Sequence, residues 1–346
     1  MTSQHSEIRE LATPLGESGA FMDVLDRVSR LARLDRPCLV VGERGTGKEL
    51  IAARLHYLSR RWDKPFVAVN CAALSEDLLD SELFGHEAGA FTGARDRRIG
   101  RFERADGGTL LLDEIATASS RVQEKILRVV EYGEMERVGG GRTLRVDVRV
   151  VGATNVDLPA EVAAGRFRAD LLDRLAFEVV TLPPLRARRE DIMVLAQHFA
   201  VAMARELGRP LFAGFSPGAE ASLIGHDWPG NVRELKNAVE RAVARTVAEE
   251  PVAEVALDPF DSPHRLASAV ALPTRRPPPA AGRPPASLKD RVAGYERRLV
   301  AEAMAAADGN GAAAARSLGL GYHRFRRLLA KHDLGQAGRA PRPAAD

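Results

Sequence analysis

The chain has 346 residues, 45% hydrophobic and 28% charged, enough to bury a large core and to build two or three domains. Its formal net charge is only +3, so any basic surface is local, and most basic residues are Arg rather than Lys. The two cysteines, Cys38 and Cys71, lack metal-ligand spacing, and no apolar run approaches a membrane span, so the reading is a reduced, cytoplasmic protein.

Apolar residues at Phe21, Val24, Leu25, Val28 and Leu31 recur with the period of a helix, predicted from Phe21 to Leu34. Leu15-Gly16-Glu17 before it is placed at one wall of a base pocket. The short apolar run Cys38-Leu39-Val40-Val41 leads into Gly42-Glu43-Arg44-Gly45-Thr46-Gly47-Lys48, and Glu49 to Leu55 reads as a helix. Strand, glycine turn and helix N-terminus together aim free N–H groups and a positive dipole end at one point, where Lys48 reaches terminal phosphates. Glycines let the backbone close on phosphate oxygens. The spacing is G-x-x-x-x-G-K, but Glu49 replaces the usual Ser or Thr, so Mg²⁺ needs its protein ligand elsewhere.

Arg60-Arg61-Trp62-Asp63-Lys64-Pro65 is a charged loop around a tryptophan. Trp62 either folds back onto the domain or stands out as an anchor for a protein partner, a role that favours Trp. Phe66 to Asn70, Gly107 to Glu114, Val148 to Asn155 and Phe177 to Leu182 read as further strands. The second of these is apolar throughout, as in a parallel sheet covered on both faces. Ligands of such sheets bind beyond the carboxyl ends of the strands, so Asn70, Asp113, Glu114 and the phosphate loop should share one edge. There Asp113 can hold Mg²⁺, and Glu114 can orient and deprotonate an attacking water. From Glu190 to Arg245 the pattern is helical, with Asn231 read as an N-cap that places Arg233 in the first turn of a helix.

Near Pro263 the composition turns Pro/Ala/Arg-rich and reads as a semi-extended linker. Beyond it, Leu288 to Met304 is a helix, and two short helices follow across Gly319-Leu320-Gly321. Phe325, Leu328 and Leu329 face inward, leaving Tyr322, His323, Arg324, Arg327 and Lys331 outward, as in a helix-turn-helix whose basic second helix suits the major groove of double-stranded DNA.

Between the second and third strands, Gly89-Ala90-Phe91-Thr92-Gly93-Ala94 resembles the signature loop of bacterial AAA+ activators that act on sigma-54 RNA polymerase. The resemblance runs from about Leu15 to Phe260, with a C-terminal segment similar to the Fis-like domain of that family. It implies an α/β AAA+ ATPase with a parallel sheet flanked by helices plus a helical lid, followed by an all-α helix-turn-helix domain. The expected boundaries are 1–14 for an N-terminal extension, 15–184 for the α/β subdomain, 185–260 for the lid, 261–287 for the linker, 288–335 for the DNA-binding domain and 336–346 for a tail. It also implies a homo-oligomer, a hexameric ring hydrolysing ATP between subunits, in which Gly42 to Lys48 binds phosphates, Asp113 holds Mg²⁺ and Glu114 activates water. The family carries glutamate where Glu49 stands.

By the same resemblance Asn70 holds Glu114 inactive, Thr154 and Asn155 sense the γ-phosphate, Arg233 acts from the lid, and the 89–94 loop touches sigma-54. Arg168 and Arg174 would reach a neighbour's nucleotide as fingers; their bland alternative is local pairing with Asp170 and Asp173. Too few residues precede Leu15 for a sensory domain, so control is expected in trans. The text around Arg44, His56-Tyr57-Leu58-Ser59 and Trp62 looks most like the phage-shock branch of the family, held in check by a repressor such as phage shock protein A. Two other classes fit the same motifs: an AAA+ remodelling ATPase of another pathway, and a DNA-binding repressor whose oligomeric state ATP sets.

Overall fold

A computed structural model of the chain describes residues 14–91, 94–261, 288–307, 309–332 and 334, so the expected linker lies almost wholly outside the described residues. The chain divides into two compact units, Met1–Arg265 and Leu266–Asp346.

The first unit is built on five parallel strands: β1 (Cys38–Val41), β2 (Phe66–Asn70), β5 (Thr109–Asp113), β8 (Arg149–Thr154) and β9 (Val179–Thr181), in the order β2-β5-β8-β1-β9. Helices cover both faces. Helix α1 (Gly19–Ala32) and helix α2 (Lys48–Tyr57) pack Phe21, Val28, Ile51 and Leu55 on Val40, Leu111 and Val151. On the other face α3 (Glu76–Phe84), α4 (Arg101–Arg104), α5 (Ser120–Tyr132) and α7 (Ala169–Leu175) bring Leu83, Phe102, Ile126 and Leu171 onto Leu39, Leu110, Leu112 and Val150. Leu110, Leu111 and Leu112 thus alternate between two cores, which is why the three central positions of β5 are all apolar. Each expected strand is present; Cys38–Val41 and Phe66–Asn70 keep their bounds, while β5 loses Gly107, Gly108 and Glu114, β8 loses Val148 and Asn155, and β9 loses Phe177, Glu178 and Leu182.

Two short ribbons leave this body: β3 (Gly85–His86) with β4 (Arg98–Ile99), and β6 (Glu134–Glu136) with β7 (Thr143–Arg145). Neither is legible in the sequence, because strands of two or three residues carry too little periodicity to read. Between β8 and α7 lies the short α6 (Leu158–Ala163). The lid consists of α8 (Glu190–Glu206), α9 (Pro217–Gly225) and α10 (Asn231–Arg245) around Ile192, Leu195, Leu223, Trp228, Leu235 and Val239. Leu15 packs against this lid core.

The second unit holds α11 (Leu288–Ala306), α12 (Gly311–Ser317) and α13 (Tyr322–Lys331) around Val300, Ala303, Ala314, Ala315 and Phe325. Asn310 caps α12, its side-chain oxygen accepting from Ala312 N and Ala313 N at 3.1 and 3.2 Å.

His56 is buried with Nδ1 2.9 Å from Thr109 Oγ1. Burial first, and the charge of Arg149 second, push its pKa down from 6.5 to about 4. Below the unfolded value the unfolded chain takes up a proton that the folded chain refuses, so this contribution is complete above 6.5 and fades as pH falls towards about 4. Urea midpoints should therefore fall between about pH 7 and about pH 5, and His56→Gln should flatten that slope.

Candidate active site

The parallel register sets the geometry of the site. Asn70 lies opposite Asp113, and Val41 opposite Thr154, so the carboxyl ends of β2, β5, β8 and β1 form one edge. The phosphate loop leaves β1 there, and Gly42 N donates to Thr154 O at 3.1 Å. Gly45 and Gly47 take left-handed φ of 78° and 95°, so the turn needs residues without a Cβ. Lys48 opens α2 and is only 8% exposed, its Nζ donating to Gly42 O at 3.0 Å and Glu43 O at 3.3 Å. Burial pushes its pKa down, while the charges of Glu114 and then Asp113 oppose that fall. One buried ammonium therefore feels both acids.

Glu114 follows β5 with φ 51° and ψ 42°, a left-handed conformation that is strained for a non-glycine residue. Its N–H donates to Asp113 Oδ1 at 3.0 Å, and the following turn closes through Thr117 Oγ1 to Glu114 O at 2.8 Å. The turn thereby directs Glu114 away from the line of β5. The amide of Asn70 reaches Asp113 Oδ2 at 3.4 Å, where the resemblance implied a pairing with Glu114, and Asn70 Oδ1 accepts from Ala72 N at 2.9 Å. Thr154 is fully buried and its Oγ1 accepts from Val156 N at 3.3 Å, whereas Asn155 and Glu49 are exposed.

Asp113 fits Mg²⁺. It ends a strand beside the phosphate loop, and no cluster of three or more His, Cys, Asp or Glu able to hold a metal occurs among the described residues. A nucleotide-bound Mg²⁺ needs only one or two carboxylates with phosphate oxygens and waters.

The lid is fastened to this loop through residues whose roles were not read from the sequence. Asn231 is not the N-cap of α10; Gly230 is, and Asn231 is the first helical residue, buried with φ 52°. Its side chain accepts from Leu185 N at 2.7 Å and donates to Arg44 O at 3.0 Å and Glu43 Oε2 at 3.1 Å. Val232 N donates to Gly45 O at 3.0 Å, and a Cβ on Gly45 would stand 2.2 Å from Gly230 O. The same close approach puts the Arg233 Cβ 3.1 Å from that position, with Arg233 on the loop side of the lid. Arg186 holds Glu43 at 2.5 and 2.8 Å. Asp191, fully buried, accepts from Glu17 N, Ser18 N and Ser18 Oγ at 2.6 to 2.8 Å, joining the start of α1 to the lid. Gly16 is packed there too, since a Cβ would meet Phe21 at 2.5 Å and Asp191 at 2.7 Å, so 15–17 is packed against core and lid alike. Asp191 is inconspicuous in sequence because an acid in the first turn of a helix ordinarily faces solvent and the dipole.

Arg174 is exposed and Arg168 half-buried, and both are ion-paired. Arg168 pairs with Asp170 at 2.7 Å, as in the bland alternative, but Arg174 pairs with Glu131 at 2.5 Å and not with Asp173. In the signature loop, Thr92 and Gly93 lie outside the described residues. Phe91 is 46% exposed with its ring 4.9 Å from that of His86, Gly89 N donates to Ala94 O at 2.7 Å, and Ala90 stands against Gly139. Gly85 and Glu87 also bond Val138, joining the start of the loop to the segment after β6. Arg137 pairs beneath them with Glu87 at 2.7 Å and with Glu103. Trp62 is 58% exposed and does not fold back into the core. On α13, Tyr322, His323, Arg324 and Arg327 are exposed, as is Arg326, which the sequence reading left out; Lys331 is exposed but paired with Glu296 at 2.5 Å.

Comparison with known proteins accounts for this arrangement. The family described as the sigma-54 interaction domain matches residues 15–181, and the AAA+ ATPase lid domain matches residues 186–261. The chain belongs to the sigma-54-dependent AAA+ activators. It is a P-loop ATPase of that class, an ATP-dependent activator of sigma-54 transcription. It is 57% identical over 322 residues to the Psp operon transcriptional activator of Escherichia coli, covering 92% of this chain and 98% of that protein. With the Nif-specific regulatory protein of Azotobacter vinelandii it shares 46% identity over 88% of this chain and 56% of the relative, and with Salmonella typhimurium ZraR 52% over 68% and 53%. The chain thus spans about half the length of these last two relatives. Among solved structures, NtrX from Brucella abortus in complex with ATP superposes with a TM-score of 0.67 at 32% identity, over 96% of this chain and 72% of the other. The family, the fold and the phage-shock likeness read from the sequence are thereby borne out.

Arg186 first, and Asn231 second, hold the Glu43 carboxyl down from 4.5 to about 2. Whatever stability this pairing contributes is complete above 4.5 and disappears as pH falls through about 2. Asn231→Ala should leave the buried Leu185 N–H without an acceptor, costing about 1–3 kcal/mol in urea denaturation. It should also weaken ATP binding about tenfold by releasing the loop from the lid; unchanged affinity would show that the lid bonds do not order the loop.

Proposed function

We propose that this chain activates sigma-54 RNA polymerase at phage-shock operon promoters, from a homo-hexameric ring assembled in the cytoplasm. The observation that carries the mechanism is the meeting of Lys48, Asp113 and Glu114 at one sheet edge, beside a phosphate loop tied to the lid. Gly42, Glu43, Arg44, Gly45, Thr46, Gly47, Lys48 and Glu49 form the cradle, and Lys48 neutralises terminal phosphate charge. Mg²⁺, when bound with ATP at Asp113, offsets charge on the phosphates. Glu114 takes a proton from water as the new oxygen–phosphorus bond forms and the bond to the ADP oxygen breaks. Asn70 modulates the acids through the Asp113 side it already touches, Thr154 and Asn155 report the γ-phosphate, and Arg233 closes from the lid.

Arg168 and Arg174 act across the subunit boundary. Leaving an exposed ion pair costs only about 0–1 kcal/mol, so their present partners are no barrier to reaching a neighbour's nucleotide. A true finger is worth roughly 10³–10⁵ in rate, so Arg168→Ala or Arg174→Ala should silence turnover in the assembled ring.

The 89–94 loop is the effector tip that touches sigma-54, through Phe91 and Thr92 with Gly89, Ala90, Gly93 and Ala94. Driving a promoter complex from 1:99 to 99:1 open takes roughly 5.5 kcal/mol, which hydrolysis supplies and passive binding without state preference does not. Upstream double-stranded DNA is held through 288–335, with Tyr322, His323, Arg324 and Arg327 foremost; Lys331 contributes after release from Glu296. Oligomerisation raises avidity without new contacts. Trp62 is the contact for a repressor in trans, such as phage shock protein A.

The test is transcription from a sigma-54 promoter in vitro with hydrolysable and non-hydrolysable ATP. Glu114→Gln should bind ATP without turnover, and Thr92→Ala should keep ATPase while losing open complexes. Open complexes formed with a nucleotide that cannot be cleaved would refute the motor reading.

A further inference from the structure

Beneath the signature loop lies a histidine that hydrolysis does not use. His86 ends β3 and is buried, and its Nδ1 lies 2.8 Å from Ser81 Oγ of α3, which is buried as well. Its backbone is held from two further sides, opposite Arg98 in the β3–β4 ribbon and opposite Val138 in a parallel bridge. Gly85 before it has φ 76°, and a Cβ there would stand 2.4 Å from Arg98 O, so the ribbon closes too tightly for a side chain at that point. The backbone of His86 and the plane of its ring are therefore both set before the loop begins.

Further along, Phe91 meets that ring in a T-shaped contact, with centroids 4.9 Å apart and planes at 65°. Phe91 is 46% exposed, so part of its side chain rests on the body while the remainder faces solvent. The chain between the two rings is closed by Ala90 N donating to Glu87 O at 3.2 Å and Glu87 N donating to Val138 O at 3.1 Å. Ala90 is held against Gly139, where a Cβ would lie 2.6 Å from the Ala90 Cβ. In a T-shaped pair the electropositive edge of one ring meets the electronegative face of the other, an attraction beyond the area the pair buries. An aliphatic side chain at position 86 would bury similar area without that directional preference.

We infer that His86 is a positioning residue for the sigma-54 contact: its ring, held by Ser81, fixes the side chain of Phe91 in the orientation that sigma-54 receives. This rests on the reading of the 89–94 loop as the sigma-54 contact, and adds to it a residue that acts only through Phe91. A free phenylalanine gives up rotamer entropy when a partner takes hold of it, and fixing the rotamer beforehand removes that cost from binding. Space-filling alone does not explain the arrangement, because filling space requires no hydrogen bond to set the plane of the ring. The Ser81 bond sets it, and Phe91 lies against the result.

The test uses the full chain carrying para-fluorophenylalanine at position 91 alone for spectroscopy without nucleotide. Binding is measured to purified sigma-54 with ADP and aluminium fluoride, a mimic of the hydrolytic transition state. His86→Leu should shift the fluorine resonance and raise the sigma-54 dissociation constant about two- to tenfold, the range that an aromatic pair commands, with basal ATPase unchanged. Ser81→Ala keeps the ring but frees it, and should move the resonance the same way by less. His86→Phe retains an aromatic partner and should restore most of the affinity. A resonance that stays in place in both His86→Leu and Ser81→Ala would overturn the inference, as would equal loss of affinity in His86→Leu and His86→Phe. If Phe91→Ala weakens sigma-54 binding and His86→Leu does not, the positioning role falls and the loop contact stands. If neither changes sigma-54 binding, the loop contact falls and the inference falls with it.

Discussion

The contact on which the rest of the site depends is the seam between the phosphate loop and the first turn of α10. Gly45 lies so close to Gly230 that no side chain fits between them, and Val232 N and Asn231 Nδ2 bond the loop's own carbonyls. A phosphate-binding loop must expose N–H groups to its ligand, which leaves its carbonyls to be satisfied from behind. Here the lid satisfies them. Loop geometry and lid position are therefore one variable, with Arg186 and Arg233 held against the loop from the lid side.

The sheet supplies the second constraint. Because its strands are parallel and buried on both faces, their carboxyl ends must collect the polar residues that five apolar strands exclude. Asp113 and Glu114 end up beside a buried ammonium, and the left-handed turn at Glu114 is the conformational cost of placing a carboxylate there. The cysteines are bystanders. Burial raises Cys38 to about 11 and Cys71 to about 12, so neither thiol is reactive near neutral pH.

The 89–94 loop and the turn around Trp62 rest on the same device. Arg137 beneath the 89–94 loop and Arg61 beneath Trp62 each gather two carboxylates from distant segments. Arginine suits this because its planar fork holds several acceptors in fixed directions. Each leaves an aromatic side chain, Phe91 or Trp62, presented to solvent on a braced support.

How much of this was legible in the sequence follows from the range of each interaction. The phosphate loop, the apolar strand closed by Asp113 and Glu114, and the inward Phe325 of α13 are local patterns, since their spacing along the chain is their spacing in the fold. Even the pairing partner of Arg168, two residues away, could be read. Asn231, Asp191 and the partner of Arg174 could not. Their hydrogen bonds span 46 to 188 residues for Asn231, 173 and 174 for Asp191, and 43 for Arg174. An amide at a helix start looks like a cap, and an acid there like a dipole partner, until the opposite surface is known. The sequence by itself determined which groups gather at the phosphate-loop edge. Only the tertiary structure decided how the lid grips them, because that grip joins backbone atoms whose separation in space bears no relation to their separation in the chain.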